Sequence, residues 1–151
     1  VATSAGAGDA GKMVQLDGAG KLAESMMPTG IGADTVSVVT SENLGAGDLV
    51  NIYDATGTPT ARLADGSAAG KEAHGFVLAS VTSPAAATVY FEGSNNQVTG
   101  QTAGTVYLSA STPGATTSTP PSASTNIVQK VGVATSATNV NFEAGQPIEL
   151  V

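Results

Sequence analysis

The chain has 151 residues, of which 41% are hydrophobic and only 4% aromatic, and it contains no cysteine. The missing thiols exclude a disulfide framework and a thiolate metal site, and the formal net charge of −7 disfavours binding to nucleic-acid phosphates or to an anionic membrane surface. No stretch approaches the ~20 apolar residues of a membrane-spanning helix. The length suits one domain, or one domain with an appendage.

Residues 1–33 are predicted to form an N-terminal arm. Residues 1–11 consist mostly of Ala, Gly, Ser and Thr, so we expect a mobile lead-in. The alternation in residues 12–16 predicts one short strand, and residues 21–27 are compatible with two helical turns that end before Pro28. Residues 29–33 are typical of a hinge, because they include two glycines.

Residues 34–151 are predicted to form an all-β domain. Short runs of Val, Ile and aromatic residues alternate with polar residues, as in Val36 and Val38 or Val106 and Leu108, which is typical of sheets with one buried face. Many short strands separated by turn signals favour a sandwich or a barrel of about nine mainly antiparallel strands. The predicted strands are residues 35–40, 49–54, 60–63, 75–82, 88–92, 104–110, 126–135, 139–142 and 148–151.

Two segments between the predicted strands are assigned to turns or loops. Residues 93–96, with the sequence Gly-Ser-Asn-Asn, are typical of a turn. Residues 111–125 contain three prolines and many Ser and Thr residues, and nothing more apolar than Ala. That loop is too polar to fold on itself, so we expect it to project, to cross an end of the barrel, or to pack against another subunit.

A glycine-rich stretch near the start matches two phosphate-binding patterns by spacing. Residues 6–11 fit GxGxxG, and residues 6–12 fit GxxxxGK. Both patterns require a strand that delivers the loop to a helix N-terminus. Only five residues precede Gly6, and Met13 stands where Mg²⁺ coordination needs Ser or Thr. We therefore predict no nucleotide binding here.

The titratable residues do not form a recognisable catalytic or metal-binding pattern. His74 is the single histidine, and no second ligand stands at metal-binding spacing from it. It is predicted to be a surface histidine with a local hydrogen bond. The carboxylates are dispersed along the chain, and a glycosidase would need two of them brought about 5–9 Å apart in a cleft. The sequence leaves that convergence open, but we expect no enzyme activity, no metal and no cofactor.

The apolar residues of the arm are the strongest candidates for a binding site. They cannot close a core by themselves, so they either fold back on the β domain of the same chain or dock on a neighbouring protein. The second alternative is favoured by the flexible lead-in and the Gly hinge, and methionine adapts well to protein surfaces. The candidate residues are Lys12, Met13, Val14, Leu16, Leu22, Met26, Met27 and Ile31.

Several segments of the sequence resemble one family. Residues 12–22, KMVQLDGAGKL, followed by Met26-Met27-Pro28, resemble the amino-terminal arm of tailed-bacteriophage capsid decoration proteins, also called cement or head-fibre proteins. Residues 104–109, GTVYLS, the loop 111–125 and residues 126–134, NIVQKVGVA, are similar to the same group. The resemblance covers about two thirds of the chain, and similar segments occur in phage tail-fibre proteins.

The resemblance implies a homotrimer bound to the major capsid protein on the outer capsid surface of a virion, near local threefold positions between capsomers. It implies assembly in the bacterial cytoplasm, and neither catalysis nor binding to nucleic acid or membrane. The alternative is a receptor- or glycan-binding module of a phage fibre, which would bind through loops such as residues 111–125. An enzyme acting on surface polysaccharide is a third hypothesis, disfavoured by the scarcity of aromatic residues.

Overall fold

The computed structural model describes residues 3, 5–16, 18, 20–23, 26, 27 and 32–151. Contacts between Cα atoms divide the chain into two units, Val1–Asp34 and Thr35–Val151. We call them the leading unit and the β unit.

The described residues of the leading unit contain little regular structure. A 3-10 helix spans Gly6–Asp9, within a stretch predicted to be a mobile lead-in. The predicted strand over residues 12–16 is wrong, because none of the strands in the described residues pairs with this run. Residues 21–23 are not helical, and Glu24 and Ser25 of that predicted helix lie outside the described residues. So do residues 29–31 of the predicted hinge.

The β unit contains twelve short strands, so the prediction of an all-β domain is confirmed. The count exceeds the predicted nine, because the strand predicted over residues 126–135 is divided in two and polar segments supply two further short strands, Glu92–Asn95 and Thr116–Thr117. The strands are β1 (Thr35–Thr40), β2 (Leu49–Ala55), β3 (Thr58–Leu63), β4 (Gly75–Val77), β5 (Ala86–Tyr90), β6 (Glu92–Asn95), β7 (Gly104–Leu108), β8 (Thr116–Thr117), β9 (Ile127–Val128), β10 (Lys130–Ser136), β11 (Asn139–Glu143) and β12 (Ile148–Glu149).

The first five strands close into a barrel in the order β1-β3-β2-β4-β5. Its pairs are antiparallel except β1 with β3, which run parallel. Strands β2 and β3 form a hairpin whose turn residues Thr56 and Gly57 both have positive φ, at 52° and 88°. Such turns match the twist of the flanking strands. Asp54 reinforces this turn by accepting the Gly57 N–H at 2.7 Å.

The later strands form an open antiparallel sheet in the order β6-β11-β10-β7-β8, and β9 pairs separately with β12. The β unit therefore contains a closed barrel, one of the two predicted architectures, with an open sheet packed on it. Barrel residues Leu49 and Phe76 share a buried cluster with the sheet residues Val106 and Phe142. The Phe76 ring lies 5.4 Å from that of Phe142. This contact joins the sheet to the barrel.

A second buried cluster fills the interior of the barrel, and strands β2 and β4 contribute to both clusters. Val50 and Val77 belong to the interior cluster, whereas their neighbours Leu49 and Phe76 face the sheet. Successive side chains of a strand point to opposite faces, so a strand between two cores is apolar at consecutive positions. This explains why residues 49–51 and 75–77 are buried without interruption.

One predicted strand ends early and one predicted turn is instead a strand, because pairing between distant segments decides both. The strand predicted over residues 75–82 ends at Val77, and Val81 then makes only an isolated bridge to Leu44. Residues 93–96 were predicted to be a turn, which is wrong for Gly93 to Asn95. These residues belong to β6, the edge strand that pairs with β11. Gly and Asn are depleted in strands, so only this tertiary pairing decides their conformation.

The strand predicted over residues 126–135 is interrupted at Gln129, whose side chain is buried. A register shift follows between Lys130 and Gly132, and Gly132 tolerates it at a φ of 146°.

The polar loop 111–125 folds onto its own β unit. Gly114 donates to the Ala64 carbonyl at 2.7 Å and accepts from the Leu49 N–H at 2.8 Å, so its backbone connects the loop to the barrel. Residues 116–117 then form β8 at the sheet edge. The prediction that this loop is too polar to fold on itself is therefore wrong at residues 114–117, which contact the barrel and the sheet of the same chain. Its exposed residues still leave surface for other contacts.

Candidate functional site

The glycine-rich turn of the leading unit is closed by its own carboxylate. Asp9 accepts hydrogen bonds from the Ala5 backbone N–H at 2.6 Å and from the Lys12 ammonium at 2.6 Å. The Ala5 hydrogen bond and then the Lys12 contact lower the pKa of Asp9. The cation that a phosphate would need is thus paired with the carboxylate of the same turn, so the geometry gives no support to nucleotide binding at residues 6–11.

The predicted docking residues of the leading unit are largely accessible to solvent. The exposed fractions are 88% for Met13, 57% for Val14, 55% for Leu16 and 47% for Leu22. Lys12 is exposed and forms the ion pair with Asp9. Met26 and Met27 are half-buried, and Ile31 lies outside the described residues. Met13, Val14 and Leu16 lie within four residues of each other and form an exposed apolar surface. We call residues 13–16 the leading apolar segment.

Arg62, the single arginine of the sequence, holds a loop to the barrel. Its Nε donates to Asn51 Oδ1 at 3.0 Å, and a terminal nitrogen donates to the Gly70 carbonyl at 2.6 Å. The guanidinium also lies 4.2 Å from the centre of the Tyr53 ring. All of these contacts are intramolecular, so Arg62 stabilises the fold and is not a candidate for anion binding.

Gln129 connects two loops to the sheet from a buried position. Its Oε1 accepts the Ala73 N–H at 2.8 Å, and its Nε2 donates to the carbonyls of Ala73 at 2.9 Å and Gly145 at 3.2 Å. The side-chain amide of Gln129 thereby satisfies both backbone hydrogen-bonding groups of Ala73, which lies outside the strands. The sequence analysis did not single out this residue, because a glutamine within a strand has no signal that distinguishes a buried position.

His74 also has a structural contact. Its side-chain Nδ1 accepts a hydrogen bond from the Ile52 backbone N–H at 3.0 Å. The backbone N–H of His74 donates to the Val50 carbonyl at 2.8 Å. His74 is exposed, as predicted, but the prediction of a local hydrogen bond is wrong, because Ile52 is 22 residues away in the sequence. Within the described ranges, no group of three or more His, Cys, Asp or Glu residues is arranged to hold a metal ion.

The strand register brings together two carboxylates that are far apart in the sequence. Glu92 of β6 lies directly opposite Glu143 of β11, and both side chains are exposed. Like charges in directly opposed positions repel each other. Neither residue lines either of the two cavities described next, so this pair lacks the enclosing cleft that sugar cleavage would need.

Among the cavities of the β unit, two have separate linings that share no residue. An apolar groove of about 420 Å³ lies between residues 72–74, Phe91 and residues 144–147. A polar cavity of about 200 Å³ lies between residues 46–48, residues 97–101 and residues 114–116. Half-buried Asp48 is the charged residue in the lining of the polar cavity. The sequence analysis did not single out Asp48, because its position in a cavity depends on three separate loops that meet only in the fold.

Within the part of the chain that the structure describes, no helix is long and apolar enough to cross a membrane. No protein-family model, curated protein or solved structure matches this chain.

Proposed function

We propose that this chain is a decoration protein of a bacteriophage capsid. It assembles as a homotrimer on the outer surface of the head, and its leading unit binds the major capsid protein and stabilises the boundaries between capsomers. This role requires binding alone, without catalysis, cofactor or metal.

The observation that carries the proposal is the exposure of the leading apolar segment. Full burial of a Val, Leu or Met side chain contributes roughly 1.5–3 kcal/mol. Met13, Val14 and Leu16 are each more than half exposed, so most of that gain is still available for docking on a partner. Backbone without regular structure in residues 12–16 can adapt to the partner surface, although its ordering offsets part of the gain.

Trimeric assembly would increase the overall affinity for the capsid, because each trimer carries three leading units. Three leading units on one trimer bind with a high effective concentration after the first has docked, so modest contacts combine into stable attachment. The net charge of −7 suits a protein on the outside of a shell, away from packaged DNA.

Charge substitution within the leading apolar segment tests the proposal. The variant combines Met13→Asp and Leu16→Asp, and the measurement is occupancy on expanded capsids by cosedimentation and electron microscopy. We expect occupancy at limiting protein to fall about tenfold or more, because a loss of 1.4 kcal/mol already weakens binding tenfold. Circular dichroism should show an intact β fold.

The matched control is Ile148→Asp, which charges an apolar side chain of the β unit that is 63% exposed. This variant should decorate capsids as the unaltered chain does. Equal occupancy for both variants would overturn the docking role of the leading segment, and a monomer in sedimentation velocity would overturn the trimer. Saturable binding to glycans without binding to capsids would instead support a fibre module.

A further inference from the structure

The polar cavity of the β unit is built by three segments held at fixed positions. The buried Asn95 side chain donates to the Gly47 carbonyl at 2.8 Å, which fixes the loop before β2. On the opposite side, Thr116 donates its hydroxyl to Gln101 Oε1 at 2.8 Å. Gly114 completes the wall through its backbone bonds to the barrel. The cavity therefore exists before any ligand arrives.

Two glycines allow the walls to approach each other. A Cβ on Gly47 would lie 2.8 Å from the Gln97 carbonyl oxygen, and one on Gly114 would lie 2.8 Å from Leu63 and 3.1 Å from Asp48 Cγ. Both glycines also have positive φ, at 92° and 77°. Any other residue at these positions would be strained and would push the walls away from Asp48.

The Asp48 carboxylate is only partly satisfied by its own chain. Its Oδ2 accepts the Gly45 N–H at 2.6 Å, whereas its Oδ1 accepts no hydrogen bond from a described residue. Neither of the ion pairs in the described ranges involves it. Burial, partly offset by the Gly45 bond and reinforced by nearby Glu42, raises the pKa of Asp48. The fold thus keeps a carboxylate that is unfavourable for its stability at neutral pH, which is characteristic of functional positions.

We propose that this cavity binds one primary ammonium group, the end of a lysine side chain presented by a docking protein. Asp48 Oδ1 accepts from the ammonium, and the lysine stem lies along the apolar lining residues Ala46, Val98 and Ala115. An ammonium on an apolar stem, as at the end of a lysine side chain, is therefore the chemistry that this lining fits. This inference stands independently of the capsid assignment, because any lysine-bearing partner would satisfy it.

The geometry selects lysine over arginine and over a metal ion. A guanidinium binds a carboxylate best through two parallel hydrogen bonds, but Asp48 Oδ2 is already engaged by Gly45. An ammonium is a compact charge that needs only one carboxylate oxygen. Calcium takes 6–8 oxygen ligands and usually several carboxylates, whereas Asp48 is the sole carboxylate of this lining.

The test is a titration of the full chain at pH 7 with n-butylammonium chloride, followed by amide chemical shifts. We expect saturable shifts with a millimolar dissociation constant at Gly47, Asp48 and Thr116, which line the cavity. The neutral analogue 1-butanol should leave these amides unchanged. Asp48→Asn should abolish the saturable shifts, because the neutral amide cannot balance the ammonium charge.

The matched control is Asp54→Asn. Asp54 also accepts the N–H of a turn glycine, at 2.7 Å, but it is exposed and lies outside the cavity. This variant should bind n-butylammonium as the unaltered chain does. Shifts that persist in Asp48→Asn, or the absence of saturable shifts in the unaltered chain, would overturn the proposal. Tighter binding of methylguanidinium or of calcium chloride at the same amides would overturn the choice of lysine.

Discussion

The leading unit and the β unit place similar side chains in opposite environments. Val50 and Phe76 of the β unit are at most 1% exposed, whereas Met13 and Leu16 of the leading unit are more than half exposed. Both units contain short alternating runs, so hydrophobicity does not distinguish them. A strand becomes stable when neighbouring strands satisfy its backbone and a second layer covers its apolar face. In the β unit folding uses the apolar residues, and in the leading unit they remain accessible for binding.

Truncating one apolar residue in each unit should give the largest difference in the free energy of unfolding. Phe76→Ala should lower the free energy of unfolding by roughly 3–5 kcal/mol, because this ring packs between Tyr90 and Phe142 in the cluster that joins barrel and sheet. Leu22→Ala should change it by less than about 0.5 kcal/mol. Urea unfolding followed by circular dichroism measures both. Similar losses for the two variants would contradict the contrast between the units.

Replacing Gln129 tests whether buried polar contacts, as well as apolar ones, stabilise the β unit. Gln129→Leu should lower the free energy of unfolding by about 2–3 kcal/mol, because it leaves the N–H and the carbonyl of Ala73 buried without partners. The measurement is again urea unfolding. Gln146→Leu, at an exposed position nearby in the same apolar groove, is the control and should stay within about 0.5 kcal/mol. If Gln146→Leu lost as much stability as Gln129→Leu, the effect would come from the added apolar side chain and not from the lost hydrogen bonds.

Removing one of the opposed carboxylates on the sheet should have a smaller effect, and it should stabilise the fold instead of destabilising it. Glu143→Gln should raise the free energy of unfolding by roughly 0.2–1 kcal/mol at low salt, because it removes the repulsion from Glu92. The gain should shrink in 1 M NaCl, since salt screens exposed charges. Glu149→Gln is the control, because Glu149 lies opposite the apolar Ile127. A gain that does not depend on salt would contradict the electrostatic explanation.

The smallest expected effect is the pH dependence that arises from Asp48. Its pKa in the fold lies above the ordinary value of 3.8, so the folded state binds the proton more tightly than the unfolded chain does. The corresponding stability is present below pH 3.8 and is lost as the pH rises through the folded pKa. Asp48→Asn should therefore be more stable than the unaltered chain at pH 7, and the difference should shrink toward pH 3. Thermal unfolding at both values measures it, and a larger gain at pH 3 would contradict the assignment.

The fold class and several strands could be predicted from the sequence. The strand over residues 35–40 matches β1, and the run over residues 139–142 matches β11 within one residue. In these strands alternating burial and β-branched residues agree with local propensity. The predictions failed where tertiary contacts decide. Gly93 to Asn95 form a strand only because β11 pairs with them, and residues 12–16 form none because no described strand pairs with them.

The candidate sites divide in the same way. The leading apolar segment was identified from residue types, since an apolar run beside glycine-rich chain has few ways to bury itself. The polar cavity was missed, because Asp48, Gln101 and Thr116 are brought together by loops from different parts of the chain.

The sequence alone determined that this chain is β-rich, acidic and poor in reactive side chains, because these properties follow from residue types and from a period of two along each strand. The tertiary structure decided that the strands form a closed barrel beside an open sheet, that Glu92 stands opposite Glu143, and that Asp48 faces a cavity. Alternation tells which residues share a face of a strand. Which strands then meet depends on contacts between distant residues, and only the folded chain makes these contacts.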